Sequence, residues 1–290
     1  MSVEIIIKPY TKTYAIASML EERELIKNRY FFYIVARYLQ IMHGKKLQAG
    51  EYRFEGNLAQ PEILDKIVNG RVFIRKLTVP EGYTISQINF LMDAAEGIKK
   101  SNDAIKVVEG SLLPGTYLYT YGIESDIMVE KMSLEMEKFL EEAWEGCSAF
   151  SRSLLWTKDN ALILASIVER ETGLDSERTL IARVYLNRLA KSMPLQADPT
   201  VIYGITGGSG VFDRKLTFND LKYDSPYNTY ITRELPPTPI CNPGRASILA
   251  AMHPAESDAL YFVADGSGGH VFSKTFDEHK ASIREIRNRD

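Results

Sequence analysis

Cysteine is nearly missing: 290 residues hold two, Cys147 and Cys241. That is too few for a disulfide framework, and no C-x-x-C pair exists to hold a metal. Whether these two pair with each other, their spacing leaves open. Histidine is scarce as well. His43, His253, His270 and His279 form no i,i+4 pair, and no H-E-x-x-H run occurs, so neither a metal nor any other cofactor is expected. Long apolar runs are lacking too. The longest, residues 161–168, is interrupted by Ser166 and falls far short of the roughly 20 residues that cross a bilayer. The N-terminus shows no basic-then-apolar signal layout. Nor is there a positive excess: 35 Lys and Arg stand against 38 Asp and Glu, a net charge of -3. That excludes the basic footprint of a nucleic-acid binder and leaves an anionic carbohydrate to be read by local groups. Neither glycine-rich turn, 207–210 or 266–269, matches a phosphate-binding loop.

What is present suits a globular chain. Hydrophobic residues make up 45% and charged residues 25%, and the length suggests two or three domains. Residues 3–7 read as a strand stopped by Lys8-Pro9, followed by a helical pattern at Ile16, Met19 and Leu20. Residues 30–42 read as a second helix with aromatics on more than one side. Ala49-Gly50-Glu51-Tyr52 turns into another strand. The order then echoes itself. Pro80, Thr84, Ile88 and Leu91 repeat the offsets of Pro9, Thr13, Ala17 and Leu20, and Pro114-Gly115-Thr116-Tyr117 repeats the Gly-x-Tyr strand start. Two related small lobes of strand and helix are expected.

Further on, residues 125–144 form an amphipathic helix pattern. Helices resume after Asp159-Asn160, read as an N-cap pair. Residues 193–254 read as loop-heavy, with Pro and Gly throughout, and a loop-rich stretch of this length usually carries function. Short strands at 260–263 and 270–272 flank a Gly turn, and a last helix is expected over 276–289. The fold class is α+β.

Chemistry concentrates near the helix that ends at Thr172. Leu164, Ile167, Val168 and Glu171 share one face, so Glu171 closes an apolar stripe, whereas Glu169 lies about 200° round the helix. Desolvation there would raise the carboxyl pKa, as a general acid requires. Periodicity alone does not separate Glu171 from a glutamate that is solvated or paired with Arg170, Arg178 or Arg183. The following loops offer Gln196, Asp198, Tyr203, Tyr227, Asn228 and Tyr230, whose amides and rings suit sugar hydroxyls and faces. They also suit plainer roles: Tyr227 and Tyr230 filling core space, Asn228 making a turn. Asp198 is a candidate second carboxylate for a hydrolase, or the start of a turn at Asp198-Pro199.

Several long runs resemble the YceG-like family of endolytic murein transglycosylases. They include Ala165-Ser166-Ile167-Val168-Glu169-Arg170-Glu171-Thr172, Arg183-Val184-Tyr185-Leu186-Asn187-Arg188-Leu189 and Leu195-Gln196-Ala197-Asp198-Pro199-Thr200. Ser225-Pro226-Tyr227-Asn228-Thr229-Tyr230, Asn242-Pro243-Gly244, Val79-Pro80-Glu81-Gly82 and the run from Glu109 to Tyr117 follow the same family order. The resemblance covers nearly the whole chain. It implies a LysM-like peptidoglycan-binding lobe at 1–75, a second small α+β lobe and connecting helix at 76–150, and a catalytic domain at 151–290. It implies cleavage of the β-1,4 bond between N-acetylmuramic acid and N-acetylglucosamine without water, leaving 1,6-anhydro ends and terminating nascent glycan strands.

Lytic transglycosylases place their glutamate directly before Ser or Thr, which Glu171-Thr172 satisfies and Glu169-Arg170 does not. Gln196 and the Tyr227-Asn228 pair match sugar-lining positions. The implied partners are peptidoglycan strands and cell-wall synthases. The implied location is the periplasmic face of the cytoplasmic membrane, reached through an anchor that this sequence does not contain. A hydrolytic muramidase using Asp198 and a non-catalytic peptidoglycan-binding scaffold are the competing readings.

Overall fold

A computed structural model describes residues 2–56, 58–101 and 107–288. The chain forms two compact units. The first gathers Met1–Leu77, Ala95–Ser101 and Tyr117–Ser125, and the second gathers Thr78–Ala94, Asn102–Thr116 and Asp126–Asp290. The 76–150 stretch, expected as a second lobe, is thus divided between them. The class is α+β, as the sequence patterns indicate.

In the first unit, strand β1 (Ser2–Ile7) leads through helices α1 (Thr13–Glu22) and α2 (Arg29–His43) to strand β2 (Gly50–Glu55) and helix α3 (Gln60–Val68). β1 and β2 pair antiparallel, with Ile5 opposite Tyr52 and Val3 opposite Phe54. The alternation of β1 sends Ile5 and Ile7 inward, where they meet Ile16, Leu20, Phe32, Tyr52 and Ile67. Asn28 starts α2 by accepting from the Phe31 amide at 3.0 Å, and Gly44 ends it in the left-handed conformation. Glu51, buried on β2, is held by both forks of the Arg75 guanidinium at 2.7 Å.

The internal echo has a structural counterpart. Strand β3 (Ile74–Val79) leads into helix α4 (Ile85–Ala94), and β3 is hydrogen-bonded to β5 (Gly115–Thr120). Tyr52 and Tyr117, each two residues after the glycine, are both buried. A two-residue parallel pair, β4 (Ile98–Lys99) with β6 (Ile123–Glu124), has no equivalent among the described residues of the first half of the echo.

The second unit is mainly helical: α5 (Ser125–Glu145), α6 (Ala149–Leu155), α7 (Lys158–Glu171), α8 (Asp175–Ala190), α9 (Asp198–Thr206) and α10 (Arg245–Met252). The antiparallel hairpin of β7 (Tyr261–Ala264) and β8 (His270–Ser273), then α11 (Phe276–Arg287), close it. α7 is the central helix, with α6, α8, α9 and α10 packed around it. Every residue from 161 to 168 is therefore buried. This corrects the stripe expected from periodicity: a helix covered on all sides needs apolar residues all round.

Three other expectations change. The cap of α7 is Thr157, which accepts from the Asn160 amide at 3.1 Å, so the helix starts before Asp159-Asn160 rather than after it. The loop-heavy 193–254 stretch contains α9 and α10 plus a single 3-10 turn at Asp220–Lys222. Asp198-Pro199 is the first turn of α9, where proline's missing amide costs nothing. The hairpin forms as expected, with Phe262 opposite Phe272. The last helix runs to Arg287, and its expected end at 289 lies outside the described residues. Cys147 and Cys241 are both free and buried. Among the described residues no helix is long and apolar enough to cross a membrane.

Candidate active site

Two glutamates end α7, and their surroundings separate them. Glu169 is buried beside Arg178, with Oε1 3.2 Å from the guanidinium, and its Oε2 accepts from the Gly244 amide at 2.9 Å. The Arg178 guanidinium also donates to Asp175 at 2.9 Å and to Ser247 Oγ at 2.7 Å. A Cβ at Gly244 would stand 1.8 Å from Glu81 Oε1, so any side chain there would displace that carboxylate. Glu169 is thus a neutralised strut that joins α7, α8 and the start of α10.

Glu171 has no such cation: among the described residues it makes no ion pair. Its one direct partner is Tyr185, a fully buried residue of α8 whose phenol donates to Oε1 at 2.6 Å. Burial pushes the Glu171 carboxyl up to about 7. The Tyr185 hydrogen bond opposes this, nearby Asp198 adds to it, and His270 and Arg188 draw it down. Glu171 therefore holds a proton near neutrality while keeping one oxygen, Oε2, without a protein partner among the described residues.

α8 also positions what surrounds this carboxyl. Arg188 donates to the Leu195 carbonyl and the Leu260 carbonyl, both at 2.7 Å, and Asn187 donates to Ser257 and Ala259 carbonyls at 2.9 Å. The guanidinium thus ties the segment leading into α9 to the segment leading into the hairpin. On β8, His270 contacts Glu177 of α8: Nδ1 lies 2.7 Å from Oε2, and the His270 amide donates to Oε1 at 2.8 Å.

The six loop residues expected near the acid divide into two groups. Asp198 and Tyr230 pair with each other and lie near enough for their charges to act on Glu171, while Gln196 stands on the segment that Arg188 holds. Gln196 is exposed, with φ of 52°, a left-handed conformation that costs a non-glycine residue energy and is held here by its amide donating to the Thr229 carbonyl at 3.0 Å. Asp198, exposed at the start of α9, accepts from the Tyr230 phenol at 2.6 Å. Burial and the Asp198 carboxylate both raise the Tyr230 phenol above its ordinary range, and Glu171 adds to the effect.

Tyr203, Tyr227 and Asn228 have other partners. Tyr203 and Tyr227 rings lie 4.8 Å apart against the core. Tyr203 donates to Glu109 at 3.2 Å, and the Tyr227 hydroxyl stands 2.8 Å from Thr238 Oγ1. Asn228 is fully buried. Its amide nitrogen donates to the Leu221 and Tyr223 carbonyls, and its oxygen accepts from the Tyr230 amide at 3.0 Å. This is the turn-making role that the sequence left open for it, and it fixes the loop that carries Tyr230.

Sequence reasoning gave no role to Tyr185, Arg188, Glu177 or His270. No local spacing could have found them: the Tyr185–Glu171 bond crosses a helix–helix turn, and the His270–Glu177 contact spans 93 residues. Glu109 was also overlooked as a carboxyl. It is half-buried, accepts from the Ile85 amide at 2.9 Å and from Asn242 at 3.2 Å, and its pKa is raised by desolvation.

Residues 5–285 match the model of the YceG-like family. An endolytic murein transglycosylase of Bacillus subtilis (strain 168) is 31% identical, over all of this chain and 86% of its own length. One from Streptococcus pneumoniae (serotype 2, strain D39) is 27% identical over 94% of this chain, which spans 56% of that longer protein. The crystal structure of a yceG-like protein from Listeria monocytogenes superposes with a TM-score of 0.59 at 30% identity, covering 97% of this chain and 99% of that one.

Proposed function

The chain belongs to the YceG-like family, and from that premise we propose that it is an endolytic murein transglycosylase whose single acid/base is Glu171. The observation that carries the residue assignment is the contrast at the end of α7. Glu169 is ion-paired with Arg178, whereas Glu171 is desolvated, makes no ion pair among the described residues and protonates near neutrality.

The reaction needs one such group, used twice. The Glu171 carboxyl gives its proton to the glycosidic oxygen as the bond from muramoyl C1 breaks, releasing the 4-hydroxyl of N-acetylglucosamine. The resulting carboxylate takes the proton of the muramoyl C6 hydroxyl, whose oxygen bonds to C1 and closes the 1,6-anhydro ring. Charge at C1 is shared meanwhile by the substrate's own acetamide, so no protein nucleophile and no water are consumed. This differs from paired-carboxylate hydrolysis. Tyr185, donating to Oε1, leaves Oε2 to carry the proton. Gln196, Asp198 and Tyr230 line the sugar on the exposed side of the acid, while Tyr203, Tyr227 and Asn228 shape the wall behind them.

Around this activity, residues 1–75 serve as a LysM-like peptidoglycan-binding lobe. Support comes from the β1–α1–α2–β2 order and its antiparallel strand pair. The enzyme acts at the periplasmic face of the cytoplasmic membrane, ending nascent strands beside the cell-wall synthases that make them.

Mass spectrometry of products from purified peptidoglycan tests the reading. The wild type should release anhydro-ended muropeptides, and Glu171→Gln should release none while still binding glycan. Anhydro products from Glu171→Gln would move the role to Glu169, and reducing ends from the wild type would instead make it a hydrolase with Asp198 activating water.

A further inference from the structure

We propose that the solvent face of α2 is a docking surface for an anionic lipid bilayer. The helix is amphipathic in an unusual way. It buries Phe32 and Ala36 in the core of the first unit, yet its outer face is also apolar. Tyr30, Phe31, Ile34, Tyr38, Ile41 and Met42 are each 57–69% exposed. At the helical repeat they fill one continuous arc of about 120°. A surface helix normally places its charges there. A contiguous exposed apolar face of this kind marks a surface that something apolar covers. Tyr14 of α1 extends it, its ring 6.1 Å from that of Tyr30.

The charge around the face identifies what covers it. From residue 25 to residue 50 the chain has five cations and no Asp or Glu; Arg29 is paired with Glu21, which leaves Lys27, Arg37, Lys45 and Lys46 to meet an anionic surface. This stands in a chain whose net charge is -3. Phosphate headgroups complement the cations, and the acyl region beneath them accepts the apolar side chains; tyrosines suit the boundary between. A saccharide fits less well, because half of the face is Ile34, Ile41 and Met42, which offer neither a ring to stack on nor a polar atom for a hydroxyl. At 15 residues, α2 is too short to cross a bilayer, whose core takes roughly 20. It would lie in the plane of the interface.

Co-sedimentation of the whole chain with vesicles tests this. The protein should pellet with phosphatidylglycerol vesicles, weakly with phosphatidylcholine vesicles, and less as salt rises. The double variant Ile34→Asp/Ile41→Asp should lose at least about tenfold in partitioning, and Lys45→Gln and Lys46→Gln about fivefold each on the anionic vesicles only. All four positions are exposed, so circular dichroism and the thermal midpoint should match the wild type. Failure of the wild type to pellet with phosphatidylglycerol, or unchanged pelleting of the aspartate variant, would overturn the proposal. So would aspartate variants that lose glycan binding or self-association but keep vesicle binding, since the face would then serve a saccharide or a second copy of the chain.

Discussion

At the scale of single residues, identical side chains two positions apart on one helix acquire opposite properties. Glu169 and Glu171 are both withdrawn from water, and among the described residues only the first is ion-paired with a guanidinium. What Tyr185 does follows from that difference. A phenol donating to Oε1 stabilises the carboxylate, so it lowers a pKa that burial has raised to about 7. The acid form is needed for the first step, so the rate should fall as pH rises through that value. Tyr185→Phe removes the donor but keeps the ring. Its descending limb should move to higher pH by about 0.5–1, and kcat should drop about tenfold because the carboxyl is no longer held in one orientation. A pH–rate profile checks both. A lower rate with an unmoved limb would mean that Tyr185 only fills space. The sequence pointed to Glu171 through an apolar stripe that turned out to encircle the helix. The discriminating contacts, Arg178 on one glutamate and Tyr185 on the other, come from α8 and have no signature within α7.

At the scale of elements, the same two helices are joined by a buried charge network. Arg178 bridges Glu169 on α7, Asp175 in the first turn of α8 and Ser247 on α10. Replacing it by methionine would keep most of the volume and leave Glu169 buried with only the Gly244 amide as partner. Breaking one side of such a pair typically costs about 3–5 kcal/mol. Arg178→Met should therefore lower the thermal midpoint by more than 10 °C, with Glu169→Gln in the same chain restoring part of the loss. Equal midpoints for Arg178→Met and wild type in calorimetry would show the network to be dispensable. The periodic elements were legible in the sequence: β1, α2, α5 and the β7–β8 hairpin appear within a few residues of where their patterns place them. α9 and α10 were not, because Pro199, Gly204 and Gly244 punctuate a stretch whose helices are short. Proline in a first helical turn reads in sequence like the opening of a loop.

At the scale of the whole molecule, the boundary drawn at residue 150 meets a core that reaches back across it. The cluster around α7 includes Leu113 and, from α5 and the turn after it, Met136, Leu140, Ala143 and Cys147. The Leu113 amide also donates to the Met132 carbonyl at 3.1 Å. Those residues are far from the catalytic motifs in sequence, and no periodicity within 151–290 announces that its core is incomplete. A fragment of residues 151–290 would lack all five side chains. Each lost Leu or Met contact in a packed core costs about 2–5 kcal/mol, against a total stability of about 5–15 kcal/mol for a domain. That fragment should therefore show no cooperative unfolding transition by calorimetry and release no anhydro-muropeptides. A fragment beginning at 78, which keeps α4, Leu113 and α5 with the catalytic helices, should retain a cooperative transition. If 151–290 alone melts cooperatively and cuts glycan strands, Leu113 and the α5 residues are accessories to the core around Glu171 and not part of it.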